Sequence, residues 1–249
     1  MKEIHVEVYR GKEKGEFRDY NVPVHPGMVI LDTLHYIQAK YDPSLAVRWN
    51  CKAGKCGSCS AEVDGKPKLT CMTRVDQYEG HKSIRVEPMK SFPIIKDLVT
   101  DVSWNYEVNK KIPPFEPIEP GADGTWRMLQ KDVDRIQEFR KCIECFLCQD
   151  VCHVIRTHQI KQGFGGPRFL LRNASLVMHP LDKRDRIPFI KEHMGVGYCN
   201  ITKCCTEVCP EEITITDNAI IPLKERVVSR FYDPIFILAR KFKNLFASS

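Results

Sequence analysis

The feature that most constrains this chain is its set of twelve cysteines and their spacing. The N-terminus, Met1-Lys2-Glu3-Ile4-His5-Val6, has no apolar signal core and alternates like a strand, so no secretion signal is expected. Without export a disulfide framework loses its rationale, and metal binding becomes the leading account of the thiols. Cys51, Cys56, Cys59 and Cys71 follow the spacing C-x4-C-x2-C-x11-C, the plant-type [2Fe–2S] pattern. A loop that wraps such a cluster must bring its backbone close to the sulfides. Ala53, Gly54, Gly57 and Ser58 are small enough to allow this. A zinc knuckle would call for two C-x2-C pairs, and this run has one pair and a gap of the wrong length.

Cys142, Cys145, Cys148 and Cys152 give C-x2-C-x2-C-x3-C, the bacterial ferredoxin run, whose fourth cysteine serves the other cluster. Adding 57 to each number finds a degenerate copy. Cys199, Cys205 and Cys209 answer to Cys142, Cys148 and Cys152, and Thr202 stands where Cys145 would recur. Crossing the fourth cysteines predicts one site of Cys142, Cys145, Cys148 and Cys209, a full set for [4Fe–4S]. The other site, Cys152, Cys199 and Cys205, has three thiolates, which suit [3Fe–4S]. Cys204 falls off the template and reads as a small packed thiol. His153 follows Cys152 where a proline is common. It reads as a loop residue, with hydrogen bonding to a cluster as the functional alternative.

Around these runs the pattern changes once. Ile4, Val6 and Val8, then Tyr20, Val22 and Val24, alternate as a hairpin. Ile30, Leu34 and Ile37 recur at helical spacing, ending before Tyr41-Asp42-Pro43. Ala61 and Val63, then Asp64-Gly65, then Leu69 and Cys71 predict a second hairpin, and Ile84 with Val86 a last strand. This is a small α+β domain. From about residue 106 strand alternation largely stops and helical spacing takes over. Pro113, Pro114, Pro117 and Pro120 fall within eight residues, so 110–121 is expected to be a linker. Gly163-Phe164-Gly165-Gly166-Pro167 has the wrong spacing for a nucleotide fingerprint and a proline that would spoil the helix start, so it predicts a turn between helices.

The net charge is +6, from 38 Lys and Arg against 32 Asp and Glu. That suits an acidic protein partner or an anionic membrane surface but is too weak to argue nucleic acid. No run approaches the length of apolar sequence needed to span a bilayer. Phe231, Ile235, Leu238, Phe242 and Leu245 make an apolar helical stripe beside Arg240, Lys241 and Lys243. It reads either as a tail helix packed on its own domain or as one lying on lipid headgroups or an anchor subunit. The chain shows no catalytic acid, base or nucleophile of its own.

The order of these parts, together with Arg48-Trp49-Asn50-Cys51, Gly54-Lys55-Cys56-Gly57-Ser58-Cys59 and Cys142-Ile143-Glu144-Cys145, resembles the iron–sulfur subunit of succinate dehydrogenase and fumarate reductase, respiratory complex II. The resemblance runs from the first strand to about residue 225. It implies an α+β fold with a β-grasp plant-type ferredoxin domain, 1–105, followed by an α-helical bacterial-ferredoxin-type domain, 106–249. It also implies electron transfer through [2Fe–2S], [4Fe–4S] and [3Fe–4S] clusters between a flavoprotein (FAD) subunit and a quinone near the [3Fe–4S] cluster. Membrane anchor subunits would hold the protein as a peripheral subunit on the cytoplasmic face of the cell membrane, or the matrix face of the mitochondrial inner membrane. The enzyme would be succinate dehydrogenase (quinone), with no chemistry on succinate by this chain alone. The alternatives are the same subunit in a fumarate reductase, or a soluble multi-cluster ferredoxin-like carrier. Family members with a well-defined ubiquinone site carry Pro and a Trp pair after the Cys152 position and His after the Cys199 position. Here His153, Arg156, Thr157 and Asn200 stand there, so a differently built quinone pocket is expected.

Overall fold

A computed structural model describes residues 3–238. The chain divides into two compact units that do not coincide with its sequence halves. The first comprises 1–107, 142–159 and 204–212; the second holds 108–141, 160–203 and the remainder.

In the first unit, β1 (Glu3–Arg10) and β2 (Glu16–Pro23) form the expected hairpin. They join β3 (Ser60–Val63), β4 (Lys66–Leu69) and β5 (Ile84–Glu87) in a sheet of order β2-β1-β5-β3-β4. Only β1 and β5 run parallel. Helix α1 (Ile30–Lys40) starts where the Asp32 carboxylate accepts the Val29 amide at 3.0 Å. Ile30, Leu34 and Ile37 are sealed against Val6, Val8, Val22, Ile84 and Val86, so the helical stripe and the strand alternation meet in one core. The second hairpin is shorter than its sequence pattern. It ends at Leu69, and Cys71 sits in the turn that follows, where the Met72 and Thr73 amides donate to the Leu69 carbonyl. A further small hairpin, β6 (Ile94–Lys96) and β7 (Val99–Thr100), is too short to leave an alternation signal. Helix α2 (Ser103–Lys111) begins three residues before the point where strand character was expected to give way.

The second unit is built on α3 (Gln130–Gln137), α6 (Pro167–Val177), α7 (Ile187–Glu192) and α9 (Ile221–Phe231). The short helices α4 (Leu147–Asp150), α5 (His153–Arg156) and α8 (Cys204–Glu207) belong to the first unit. Phe169, Leu170, Leu171 and Ala174 of α6 are buried, as are Leu223 and Val227 of α9 and Ile190 of α7. Pro167 corrects the sequence reading. It opens α6 at the first helical position, where its missing N–H is no loss and its fixed φ is already helical. The proline-rich stretch is itself tied down within this unit: the Ile118 amide donates to the Leu181 carbonyl, and Arg186 donates to the Pro113 and Pro114 carbonyls.

Glu138 joins two parts of this unit. Its carboxylate accepts the Thr214 amide and the Asn218 side-chain amide, each at 2.6 Å. Burial alone would raise the Glu138 pKa, but the Thr214 amide, with Asn218, outweighs it and holds the carboxyl below its ordinary 4.5. A depressed carboxylate stabilises the fold at pH above the unfolded value, and that stability is lost as pH falls through the folded value. Glu138→Ala should therefore destabilise the protein by about 2 kcal/mol at neutral pH, the worth of a charged hydrogen-bond acceptor. The gap between variant and parent should close on acidification below 4.5. Thermal unfolding across that range checks it.

α9 stops at Tyr232, and residues 234–238 resume a helix after Asp233 caps the Ile235 amide at 2.9 Å. Ile235 and Leu238 of the expected stripe are exposed, as is Phe236 beside them. Phe242 and Leu245, with Arg240, Lys241 and Lys243, lie outside the described residues. Among the described residues no helix is long and apolar enough to cross a membrane.

Candidate iron–sulfur centres

The loop from Cys51 to Cys59 turns on three left-handed residues, Lys52, Gly54 and Gly57, with φ of 53°, 66° and 69°. These reversals aim backbone amides inward. The Ala53 and Lys55 amides both donate to the Cys51 sulfur at 3.3 Å. A side chain at Gly54 would meet Met72 Cγ at 2.9 Å, so glycine lets the turn after β4 close over the loop. Burial, with the neighbouring Cys59 thiol, pushes Cys71 up to about 12. At Cys56 burial works the same way, but hydrogen bonds from Ser58 and Cys51 prevail and bring it to about 6. Four thiols converging with amide donors and no carboxylate among them form a soft, anionic donor set. That is the chemistry an iron–sulfur cluster requires. The rim is open on one side: Cys51 is exposed, and the Lys52 ammonium lies 4.8 Å above the ring of the exposed Trp49.

The second run is more enclosed. Burial pushes Cys145 up to about 12, and Cys148, fully buried, goes well above the ordinary thiol value. The neighbouring charges that raise Cys148 come from Cys145, Cys142, Cys205 and Cys209, so the four thiols of the predicted [4Fe–4S] set share one neighbourhood in the first unit. Such groups cannot all ionise on their own; a metal that takes up thiolates would release their protons. Glu144 and Phe146, on either side of Cys145, are left-handed with φ of 56° and 62°. Phe146 is buried and packs edge-on to Tyr106 at 5.8 Å. Behind α4, the Asp150 carboxylate accepts the Ser91 amide at 2.9 Å while the Ser91 hydroxyl donates to the Asp150 carbonyl at 2.7 Å.

The degenerate run repeats the backbone as well as the spacing. Ile201 and Lys203, the counterparts of Glu144 and Phe146, are also left-handed, with φ of 60° and 62°. Helix α4 at Leu147–Asp150 recurs as α8 at Cys204–Glu207. Thr202 thus takes the conformational place of Cys145, and Cys204 that of Leu147. Cys152 and Cys205 lie in the first unit. Burial raises Cys152 to about 12, against the Ile155 and Val154 amides that lower it, and the charges of Cys204 and Cys205 add to the rise. Cys199 lies in the second unit, where its carbonyl accepts the Lys224 ammonium at 2.7 Å. His153 opens α5; its ring meets His158 at 5.3 Å, and its Nδ1 lies 3.4 Å from the Thr157 hydroxyl. Sequence reasoning missed Met72, which follows Cys71 directly but belongs to no motif, and Lys224, which lies 25 positions from Cys199.

A 2Fe-2S iron-sulfur cluster binding domain matches residues 4–107, and a 4Fe-4S dicluster domain matches 138–213. A chain of the Mycobacterium smegmatis Sdh1 complex in the apo form superposes with a TM-score of 0.90 at 57% identity, covering 94% of this chain and 98% of that one. The fumarate reductase iron–sulfur subunit of Haemophilus influenzae is 33% identical over 84% of this chain and 88% of its own length. An uncharacterized iron–sulfur protein of Methanococcus maripaludis is 32% identical over 89% of this chain, which spans only 44% of that longer protein. With its two cluster-binding domains in this order and its likeness extending over nearly the full length of such subunits, the chain belongs to the family of fumarate reductase and succinate dehydrogenase iron–sulfur subunits.

Proposed function

We propose that this chain is the electron-transfer subunit of a membrane-bound succinate:quinone oxidoreductase. The observation that carries the reading is the meeting of two complete four-thiol sets in one compact unit, followed by a third set in which threonine replaces one cysteine. Cys51, Cys56, Cys59 and Cys71 would hold a [2Fe–2S] cluster, and Cys142, Cys145, Cys148 and Cys209 a [4Fe–4S] cluster. Cys152, Cys199 and Cys205, grouped by their spacing in the sequence, would hold a [3Fe–4S] cluster. When bound, these clusters take and give electrons singly, so a two-electron donor can be emptied stepwise and a quinone reduced.

The protein's own work is placement and insulation. The amides of Ala53 and Lys55 supply positive dipole density at Cys51, and Cys148 of the second site is buried while Cys142, Cys145 and Cys209 are half-buried. Along the sequence the plant-type domain is assigned to 1–105 and the helical domain to 106–249, and the chain would meet a flavoprotein (FAD) subunit and a membrane anchor with quinone. The subunit would then be peripheral, on the cytoplasmic face of the membrane. The 57% identity to a chain of the Sdh1 complex supports the succinate dehydrogenase reading, and the fumarate reductase subunit at 33% keeps the opposite direction as the alternative.

Elemental analysis and EPR of the purified complex test this. Iron and acid-labile sulfide should be present with no stoichiometric zinc. The oxidised protein should show a [3Fe–4S] signal and the reduced protein two further signals, while the isolated chain should not oxidise succinate. Zinc in place of iron, or turnover by the single chain, would refute the reading.

A further inference from the structure

Within the first unit the two four-thiol loops meet at Gly57 and Cys145. A Cβ built on Gly57 would lie 2.5 Å from Cys145 Cα, 2.9 Å from its Cβ and 3.0 Å from its amide nitrogen. No real side chain fits there, and Gly57 is left-handed as well, so the residue is doubly confined to glycine. Beside it the Ser60 hydroxyl lies 2.9 Å from the Cys145 carbonyl oxygen and 2.8 Å from the Gly57 carbonyl oxygen. Either carbonyl oxygen can take the one hydroxyl proton; the Gly57 carbonyl also accepts the Ser60 amide at 3.3 Å, whereas the hydroxyl is the Ser60 donor that reaches Cys145. Ser60 follows Cys59 directly in the chain. A short run of covalent bonds from the Cys59 sulfur, one hydrogen bond, and a few bonds more therefore reach the Cys145 sulfur.

We propose that Ser60 and Gly57 are positioning residues for electron transfer between the two sites: the Ser60 hydroxyl supplies the bonded bridge, and Gly57 sets the loop-to-loop gap. The inference rests on the proposed [2Fe–2S] and [4Fe–4S] assignments. With clusters held by these residues, a single electron would pass from the plant-type site, oxidising it, to the site of Cys142, Cys145, Cys148 and Cys209, reducing it, with a reduced flavin of the partner subunit as the upstream donor. Electronic coupling decays steeply with gap and is better through bonds than across space, so a hydrogen bond between the loops would raise the rate.

The bridge is not what holds these segments together. Arg156 and Lys90 both pair with the fully buried Glu62 of β3, and the two Ser91–Asp150 hydrogen bonds fix α4 from behind. The Lys55–Glu211 ion pair at 3.1 Å spans the same two regions, but Lys55 is exposed and the pair contributes little. Removing one hydroxyl therefore leaves the packing in place.

The test uses the assembled complex with Ser60→Ala, Ser60→Thr and Gly57→Ala. Iron content, the EPR signals and the midpoint potentials establish that both clusters are present and unaltered. Freeze-quench EPR after photoreduction follows electron arrival at the second site, and microwave power saturation of the plant-type signal reports its magnetic interaction with its neighbour. Ser60→Ala should keep both signals and potentials and slow the arrival several-fold, and Ser60→Thr should restore it. Gly57→Ala must part the loops by nearly an ångström and should weaken the magnetic interaction. An unchanged arrival rate in Ser60→Ala with both signals intact would overturn the proposal, and so would loss of either signal in that variant, which would make the serine structural. Absence of either signal in the parent complex would instead refute the cluster assignments beneath it.

Discussion

Thr202→Cys should extinguish the oxidised [3Fe–4S] EPR signal and bring a fourth iron into that site, while Cys204→Ser should leave the signal intact. The sequence repeat alone makes 202 the vacant ligand position, and the backbone adds an independent argument. Cys145 is presented between two left-handed residues, Glu144 and Phe146, ahead of a one-turn helix. Such residues are uncommon in non-glycine positions. A pair of them one residue apart, ahead of an equivalent helix, is a specific device for presenting one side chain. Ile201 and Lys203 reproduce it around Thr202, so a cysteine there would be offered as Cys145 is. Lys203 is further fixed by its ion pair with Asp217 at 2.8 Å. Cys204, although its charge is felt at Cys152, occupies the first position of the helix, the place of Leu147 in the first run. EPR of the two variants, with iron content, decides the matter: loss of the signal in Cys204→Ser and its survival in Thr202→Cys would make Cys204 the ligand.

What the sequence made legible was whatever repeats over a short range. The alternation of Val6 and Val8 and the helical spacing of Ile30, Leu34 and Ile37 are local patterns. They correspond to β1 and α1 because burial imposes those periods on any sequence that forms them. The offset of 57 between the cysteine runs was legible for the same reason, and it extends to the backbone angles. Contacts between distant segments were not. Ser60 and Cys145 lie 85 positions apart, and nothing in Gly57-Ser58-Cys59-Ser60 says which carbonyl the serine will find. The compact units are also invisible in a linear reading, since segments 142–159 and 204–212 leave the helical half to pack with 1–107. Pro167 was misread because a proline's effect depends on position: it breaks a helix from within and opens one from the first turn.

Arg186→Met should destabilise the second unit by about 3–5 kcal/mol, the loss typical of removing one partner of a buried ion pair. Both side chains of the pair are out of water: Arg186 is 0% and Asp182 1% exposed, with Nε to Oδ2 at 2.6 Å. The remaining guanidinium nitrogens donate to the Pro113 and Pro114 carbonyls at 2.6 and 2.7 Å. Asp182 in turn accepts the Glu116 amide at 3.2 Å. The need is set by the sequence. Consecutive prolines have no N–H to join a ladder, and here a side chain meets the Pro113 and Pro114 carbonyls. Methionine would leave a buried carboxylate uncompensated and two carbonyls unmet. Arg186→Lys keeps the charge but not the planar fork, and should recover only part of the loss. Asp182→Asn combined with Arg186→Met should be milder than Arg186→Met alone, because the stranded charge is gone. Denaturant midpoints give the size of each effect, and the rate of proteolysis within 110–121 gives its place. An Arg186→Met variant with the parent's midpoint and an equally resistant proline stretch would show that the pair holds nothing. The expected order of the three variants separates electrostatic stranding from lost hydrogen bonds, since only the former is relieved by removing Asp182's charge.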